Sequence, residues 1–166
     1  PEEENDTEEI TEHFYSLFTP KTKLIELLQE YKGDIYLFSN GNLCHVQEVI
    51  DKTHLSSIFK KEHIATLDNY IDRPKPYVKS YNYVIQAFNI KSNDIIYFFE
   101  DNVDNLKVAK HKYNWHTIFI DEDKTTSKKK SDLSYVDYTF KNIILALKYI
   151  IPKLHKKYDK KNIKEE

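Results

Sequence analysis

Asp94-Ile95-Ile96-Tyr97-Phe98-Phe99-Glu100-Asp101-Asn102-Val103-Asp104-Asn105 is the stretch that decides the fold. Six residues, five of them apolar or aromatic after the opening Asp94, run straight into two adjacent carboxylates. A continuous apolar run of that length reads as a strand buried on both faces, which is the mark of a parallel sheet. Val103–Tyr113 follows with helical patterning, and His116–Ile120 is a second strong apolar run.

Working outward, the same alternation repeats. Asp34–Phe38 is a buried-strand candidate, preceded by a helical stretch at Lys21–Tyr31 and followed by an amphipathic one at Leu43–Lys52. His63–Thr66 reads as a short strand. Pro76–Phe88 carries apolar residues at Val78, Tyr81, Val84, Ile85 and Phe88, a helical spacing with proline in its first turn. Lys124–Ser134 is a polar, lysine-rich loop, and Thr139–Leu154 is a closing helix with Pro152 near its end. Strand and helix in strict alternation predict an α/β fold: a Rossmann-like three-layer sandwich around a mostly parallel sheet. Residues 1–20 form an acidic N-terminal segment, 21–155 the α/β core and 156–166 a basic tail.

Composition narrows the classes. The chain has 166 residues, 40% of them apolar, enough for one packed domain. Twenty-five basic residues against 27 acidic ones leave a net charge of −2, so no specific nucleic-acid binding is expected. The ends differ: residues 1–12 hold seven acids and no base, while the stretch from Lys153 onward holds six lysines and three acids. Cys44 is the single cysteine, which excludes an internal disulfide and a cysteine-based zinc site. The longest apolar run, near Ile143–Ile151, is too short for a membrane span, and no signal peptide is visible. A cytoplasmic location is the default.

In open parallel sheets, ligands sit beyond the carboxyl ends of the strands. Three groups fall there or just ahead of a helix. Glu100-Asp101 is an acidic pair whose mutual repulsion a hard cation such as Mg2+ relieves, although for the pair alone a helix cap at Asp101 or Asn102 is the commoner explanation. Ser39-Asn40-Gly41 offers a hydroxyl and an amide to a phosphate, or makes an ordinary turn. Lys75, held between Pro74 and Pro76 ahead of a helix, can neutralise phosphoryl charge, or lies on the surface of a stiff loop.

Taken in order, Leu37-Phe38-Ser39-Asn40, then Lys75-Pro76-Tyr77-Val78-Lys79-Ser80-Tyr81, then Phe98-Phe99-Glu100-Asp101-Asn102-Val103-Asp104-Asn105 resemble the second, third and fourth active-site motifs of the haloacid dehalogenase superfamily. The spelling is similar to its pyrimidine 5′-nucleotidase-like branch. Lys112–Phe119 and Val136-Asp137-Tyr138 look like the family's later strand and its usual ending, so the resemblance covers roughly residues 20–152. It implies a Mg2+-dependent phosphomonoester hydrolase acting on a small phosphorylated metabolite, such as a nucleotide. Ser39 and Asn40 would bind the phosphoryl group, and Lys75 would bridge it to a nucleophilic aspartate. Glu100 and Asp101 would hold Mg2+, with Asn105 supporting their loop.

The resemblance also implies an Asp-x-Asp nucleophile at the end of an earlier strand, and the residues before Ser39 hold none. Phe14–Phe18 is apolar but leads to Thr19-Pro20. Asp121-Glu122-Asp123-Lys124-Thr125 matches the spelling, yet it follows the fourth motif and opens into lysines, so it reads as a strand end with a charged loop unless the fold is circularly permuted. A chain without Met that starts at Pro1 reads as a piece whose nucleophile is encoded upstream. The alternatives are an inactive shell serving as an interaction module, and a receiver-like domain, whose acidic pair belongs on the first strand instead. In the family, the missing strand lies between those of the second and fourth motifs. Asp34–Phe38 and Asp94–Phe99 are therefore expected either to pair directly or to leave an apolar gap, with poor stability and aggregation through exposed edges.

Overall fold

A computed structural model describes Phe14, residues 17–69, 73–122 and 133–162, those from 157 on in backbone only. The acidic residues 1–12, Asp123 and most of the lysine-rich loop lie outside the described residues. The elements run α1 (Thr22–Glu30), β1 (Leu37–Phe38), α2 (Leu43–Lys52), β2 (Ile64–Ala65), α3 (Val78–Ala87), β3 (Tyr97–Glu100), α4 (Val103–Tyr113), β4 (His116–Ile120), β5 (Tyr138–Phe140) and α5 (Ile143–Asn162). Among the described residues every strand pairing is parallel.

The layers follow from β4. Thr117 to Ile120 are all buried, as a strand covered on both faces requires. Its side chains alternate between two cores. Phe119 joins Phe98, Trp115, Leu106 and Ala109 of α4, and Tyr81 of α3. Ile118 and Ile120 join Ala146 and Ile150 of α5. On that second side α1 packs against α5 through Leu27, Leu147 and Ile151. Helices on both faces of parallel strands make the three-layer α/β sandwich expected from the alternation.

Short polar side chains start the helices as their spacing suggests. Asn42 Oδ1 accepts from His45 N at 2.9 Å, Asn102 Oδ1 from Asp104 N at 2.9 Å, and Asn142 Oδ1 from Leu145 N at 3.0 Å. The ends of α2, α4 and β4 fall where the pattern predicts. The last segment differs. Thr139 lies in β5, because Tyr138–Phe140 pairs with Ile118–Ile120, and the helix starts later, at Ile143. It then runs through Pro152, whose ring removes one backbone donor yet leaves the residue exposed.

Among the described residues the strands form two sheets, β1–β2 and β3–β4–β5, with no ladder joining β1 to β3. Of the two arrangements expected, direct pairing or a gap, the second is present. It is crossed by side chains instead: the Phe38 and Phe98 rings lie 6.1 Å apart, and Tyr81 meets both edge-on, at 5.3 and 6.2 Å.

Candidate functional site

The Lys75 ammonium sits where the carboxyl ends of β1 and β3 approach each other. It donates to the Phe38 carbonyl at 2.8 Å and to Glu100 Oε2 at 2.6 Å. It also lies 4.7 Å from the Phe38 ring centroid and 5.6 Å from that of Phe98. Both partners of the ion pair are withdrawn from water, with 7% and 8% of their side chains exposed. Phe98 and Glu100 are two residues apart on one strand, so the pleat turns both toward the lysine.

Asn40 sets the backbone that delivers this lysine. Its Oδ1 accepts from Lys75 N at 2.8 Å and its Nδ2 donates to Lys75 O at 3.0 Å. The amide thus imitates a strand partner for a segment that has none, and the Lys75–Pro76 peptide beyond it is cis. Ser39 follows Phe38 directly, and its Oγ accepts from Gly41 N at 3.0 Å. Gly41 is closely approached: a Cβ there would sit 3.2 Å from Ser39 Oγ and 3.3 Å from the His45 ring, so those side chains would have to shift by a few tenths of an ångström.

Glu100 is saturated with donors. Oε2 takes Lys75 and, at 3.1 Å, Asn105 Nδ2; Oε1 takes the N–H groups of Asp101 at 3.0 Å and Asn102 at 3.2 Å. Burial pushes its carboxyl up, but the Lys75 charge, with hydrogen bonds from Asp101, Lys75 and Asn105, outweighs burial and holds it below the ordinary range. Asp101 goes the other way. Its hydrogen bond to Glu100 first, then burial and the repulsion of Glu100, push it up to about 6. The cap of α4 is Asn102, so Asp101 is spared that role.

Of the residues singled out in the sequence, Asn40, Lys75, Glu100, Asp101 and Asn105 are linked by these bonds, and Ser39 stands next to them in the chain. The Asp121 N–H extends the β4–β5 pairing by donating to Phe140 O at 2.8 Å. Sequence reasoning missed three supporting aromatic residues. Phe38 and Phe98 were visible only as strand hydrophobics, and Tyr81 only as a helix core position. Tyr81 is fully buried, and its hydroxyl donates to Asn105 O at 2.7 Å. It therefore ties α3, which follows Lys75, to α4, which carries Asn105.

Adjacent carboxylates, one of them raised by the other, suit a hard divalent cation. The buried Asn105 Oδ1 has no hydrogen-bond partner and lies on the side chain that supports Glu100. These residues fit Mg2+ as part of a donor set. Among the described residues no group of three or more His, Cys, Asp or Glu side chains stands together to complete it.

Loops at the ends of parallel strands meet on one buried ion pair, at the rim where open α/β sheets bind their ligands. A haloacid dehalogenase-like hydrolase family model matches residues 3–111, and the chain belongs to that family. The match spans all three strand-end groups. No curated protein matches the chain significantly. Among the described residues no helix is long and apolar enough to cross a membrane.

Proposed function

We propose that this chain supplies the phosphate-binding and metal-binding parts of a Mg2+-dependent phosphomonoester hydrolase, acting on a small phosphorylated metabolite of the pyrimidine nucleotide kind. The observation that carries this reading is the Lys75–Glu100 pair. Two groups separated by 25 residues and assigned separate roles on spelling alone are in direct contact beside Asp101 and Asn40.

The contacts support the following roles. Lys75 presents one positive charge at the strand ends, to bridge a phosphoryl oxygen and a nucleophilic carboxylate. Asn40 fixes the lysine's backbone and keeps its second amide N–H for a phosphoryl oxygen; Ser39 brings its hydroxyl to the same rim. Glu100 and Asp101 would hold Mg2+, with Asn105 bracing Glu100. When bound, the ion supplies positive charge against the negative charge that spreads over a transferring phosphoryl group. Fixed donors are effective because they need no reorganisation as that charge shifts.

The nucleophile is an aspartate on a strand this sequence does not contain, forming an aspartyl-phosphate in transit. The separation of β1 from β3 supports that reading, since a strand between them would bring its last carboxylate to Lys75. One observation favours the inactive interaction module as a second reading: Lys75 is already neutralised by Glu100 without any such aspartate.

The test is phosphatase activity of the chain extended by its upstream coding sequence, with Mg2+ and a panel of nucleoside monophosphates. Asp101→Ala is expected to lower the rate by about 100-fold or more, as loss of a charge-stabilising group does. Equal activity in that variant rejects the metal assignment; no activity in any extended form favours the inactive module.

A further inference from the structure

The His45 side chain stands at the strand-end rim beside the groups assigned to phosphate. It is the third residue of α2, the helix that leaves the carboxyl end of β1, and Asn42 Oδ1 holds its backbone N–H at 2.9 Å. Its ring lies against Gly41: a Cβ on that glycine would be 3.3 Å from His45 Cδ2 and 3.2 Å from Ser39 Oγ. The imidazole and the Ser39 hydroxyl therefore approach one point on the bare backbone of Gly41. The Phe14 ring stacks on the imidazole, with centroids 6.0 Å apart and planes inclined by 29°. Phe18 meets Phe14 edge-on at 5.4 Å, and the Leu17 N–H donates to Phe14 O at 3.2 Å, so Phe14 is braced by its own turn. It still leaves 45% of its surface to water. A ring ordered in this way and open to solvent offers its face to another flat group.

We propose that Phe14 and His45 form the wall that receives a nucleobase, the planar part of a nucleoside monophosphate whose phosphoryl group lies at Ser39 and Lys75. The inference rests on the reading of Ser39, Asn40 and Lys75 as the phosphate site. A nucleoside monophosphate carries its base one sugar ring away from its phosphate, so a wall that starts beside Ser39 is within its span. Stacking uses the π-face that every base has, whereas a sugar phosphate has none to lay against the rings. The wall thus favours phosphate monoesters that carry a planar ring and discriminates weakly among bases.

Titration calorimetry of the 166-residue chain with uridine monophosphate, ribose phosphate and inorganic phosphate tests this without any turnover. Uridine monophosphate is expected to bind at least ~5-fold more tightly than ribose phosphate. Phe14→Ala and His45→Ala should each weaken the nucleotide at least ~5-fold and leave the other two ligands unchanged. His45→Phe keeps a planar ring and should restore nucleotide binding, which a loss caused by a damaged fold would not show. Phe14 is exposed, so its variant keeps the test open should His45→Ala unfold. Lys75→Met should weaken all three ligands. If the nucleotide and ribose phosphate bind alike, or the ring variants weaken all three ligands equally or none, while Lys75→Met weakens all three, the wall is wrong and the phosphate site stands. If Lys75→Met changes nothing, or no ligand binds, the phosphate site and the wall fall together.

Discussion

The Lys75–Glu100 pair makes a strong demand on stability. Replacing Glu100 with Gln leaves the ammonium buried without a counter-charge, supported by the Phe38 carbonyl, two ring faces and a neutral amide oxygen in place of a carboxylate. It also turns an amide N–H toward two backbone donors that Glu100 Oε1 now satisfies. Breaking a buried pair by removing one partner costs about 3–5 kcal/mol, and the retained partners place this case near the lower end, at about 3 kcal/mol. For a chain of this size that corresponds to a fall in melting midpoint of roughly 6–12 °C. Lys75→Met should cost somewhat less, because Glu100 keeps three hydrogen bonds. The two together should cost well below the sum, since the double variant strands no charge. A double-mutant cycle by urea unfolding of the four proteins at pH 7 measures that coupling, expected at about 2 kcal/mol. The pH dependence has a definite sign. Glu100 titrates lower folded than unfolded, so its contribution is complete above the unfolded value and fades as pH falls through the folded one. Glu100→Gln should therefore differ most from the parent near neutrality and converge with it in acid. Coupling below about 0.5 kcal/mol, within ordinary additivity, would show that water reaches the pair and refute the reasoning.

Tyr81→Phe removes one buried hydroxyl bond to Asn105 O and is expected to cost about 1–2 kcal/mol by chemical denaturation, with the aromatic packing intact. Asp101→Asn should raise the melting midpoint at pH 8 and leave it unchanged near pH 4. The native carboxyl titrates at about 6, so above that pH its charge works against the fold. Asp137 accepts Lys110 at 2.9 Å and Thr117 N at 2.8 Å at the opposite end of β4. Burial raises its carboxyl, but the Lys110 and Thr117 bonds prevail and hold it low. Asp137→Asn should cost about 1–2 kcal/mol at pH 7, fading in acid, in parallel pH-resolved melts.

The fold was legible wherever burial on both faces forced an unbroken apolar run. His116–Ile120 and the helix Val103–Tyr113 could be placed to the residue because apolar strands and Asn-capped helices leave sharp edges in sequence. The stretch after Val136 could not. Tyr138-Thr139-Phe140 lies at the outer side of the three-stranded sheet, where only one neighbour constrains it, and its alternation merges into the apolar face of the following helix. The strand-end groups could be listed from their spelling, but not their bonds to one another. Asn40 reads as a phosphate ligand when seen beside Ser39; that both ends of its amide serve the Lys75 backbone depends on a contact across 35 residues. Tyr81 looks like one more apolar position in a helix, because a hydroxyl directed at a distant carbonyl has no local signature.

The gap between the two sheets has a chemical consequence that goes beyond missing strand pairing. A parallel strand between β1 and β3 would lie against Phe38 and Phe98, the same rings that now receive the Lys75 ammonium. Anything that fills the gap must therefore move the lysine or satisfy it. An apolar segment would bury the charge against hydrocarbon and be disfavoured. A segment ending in a carboxylate would instead offer the lysine a second anion beside Glu100.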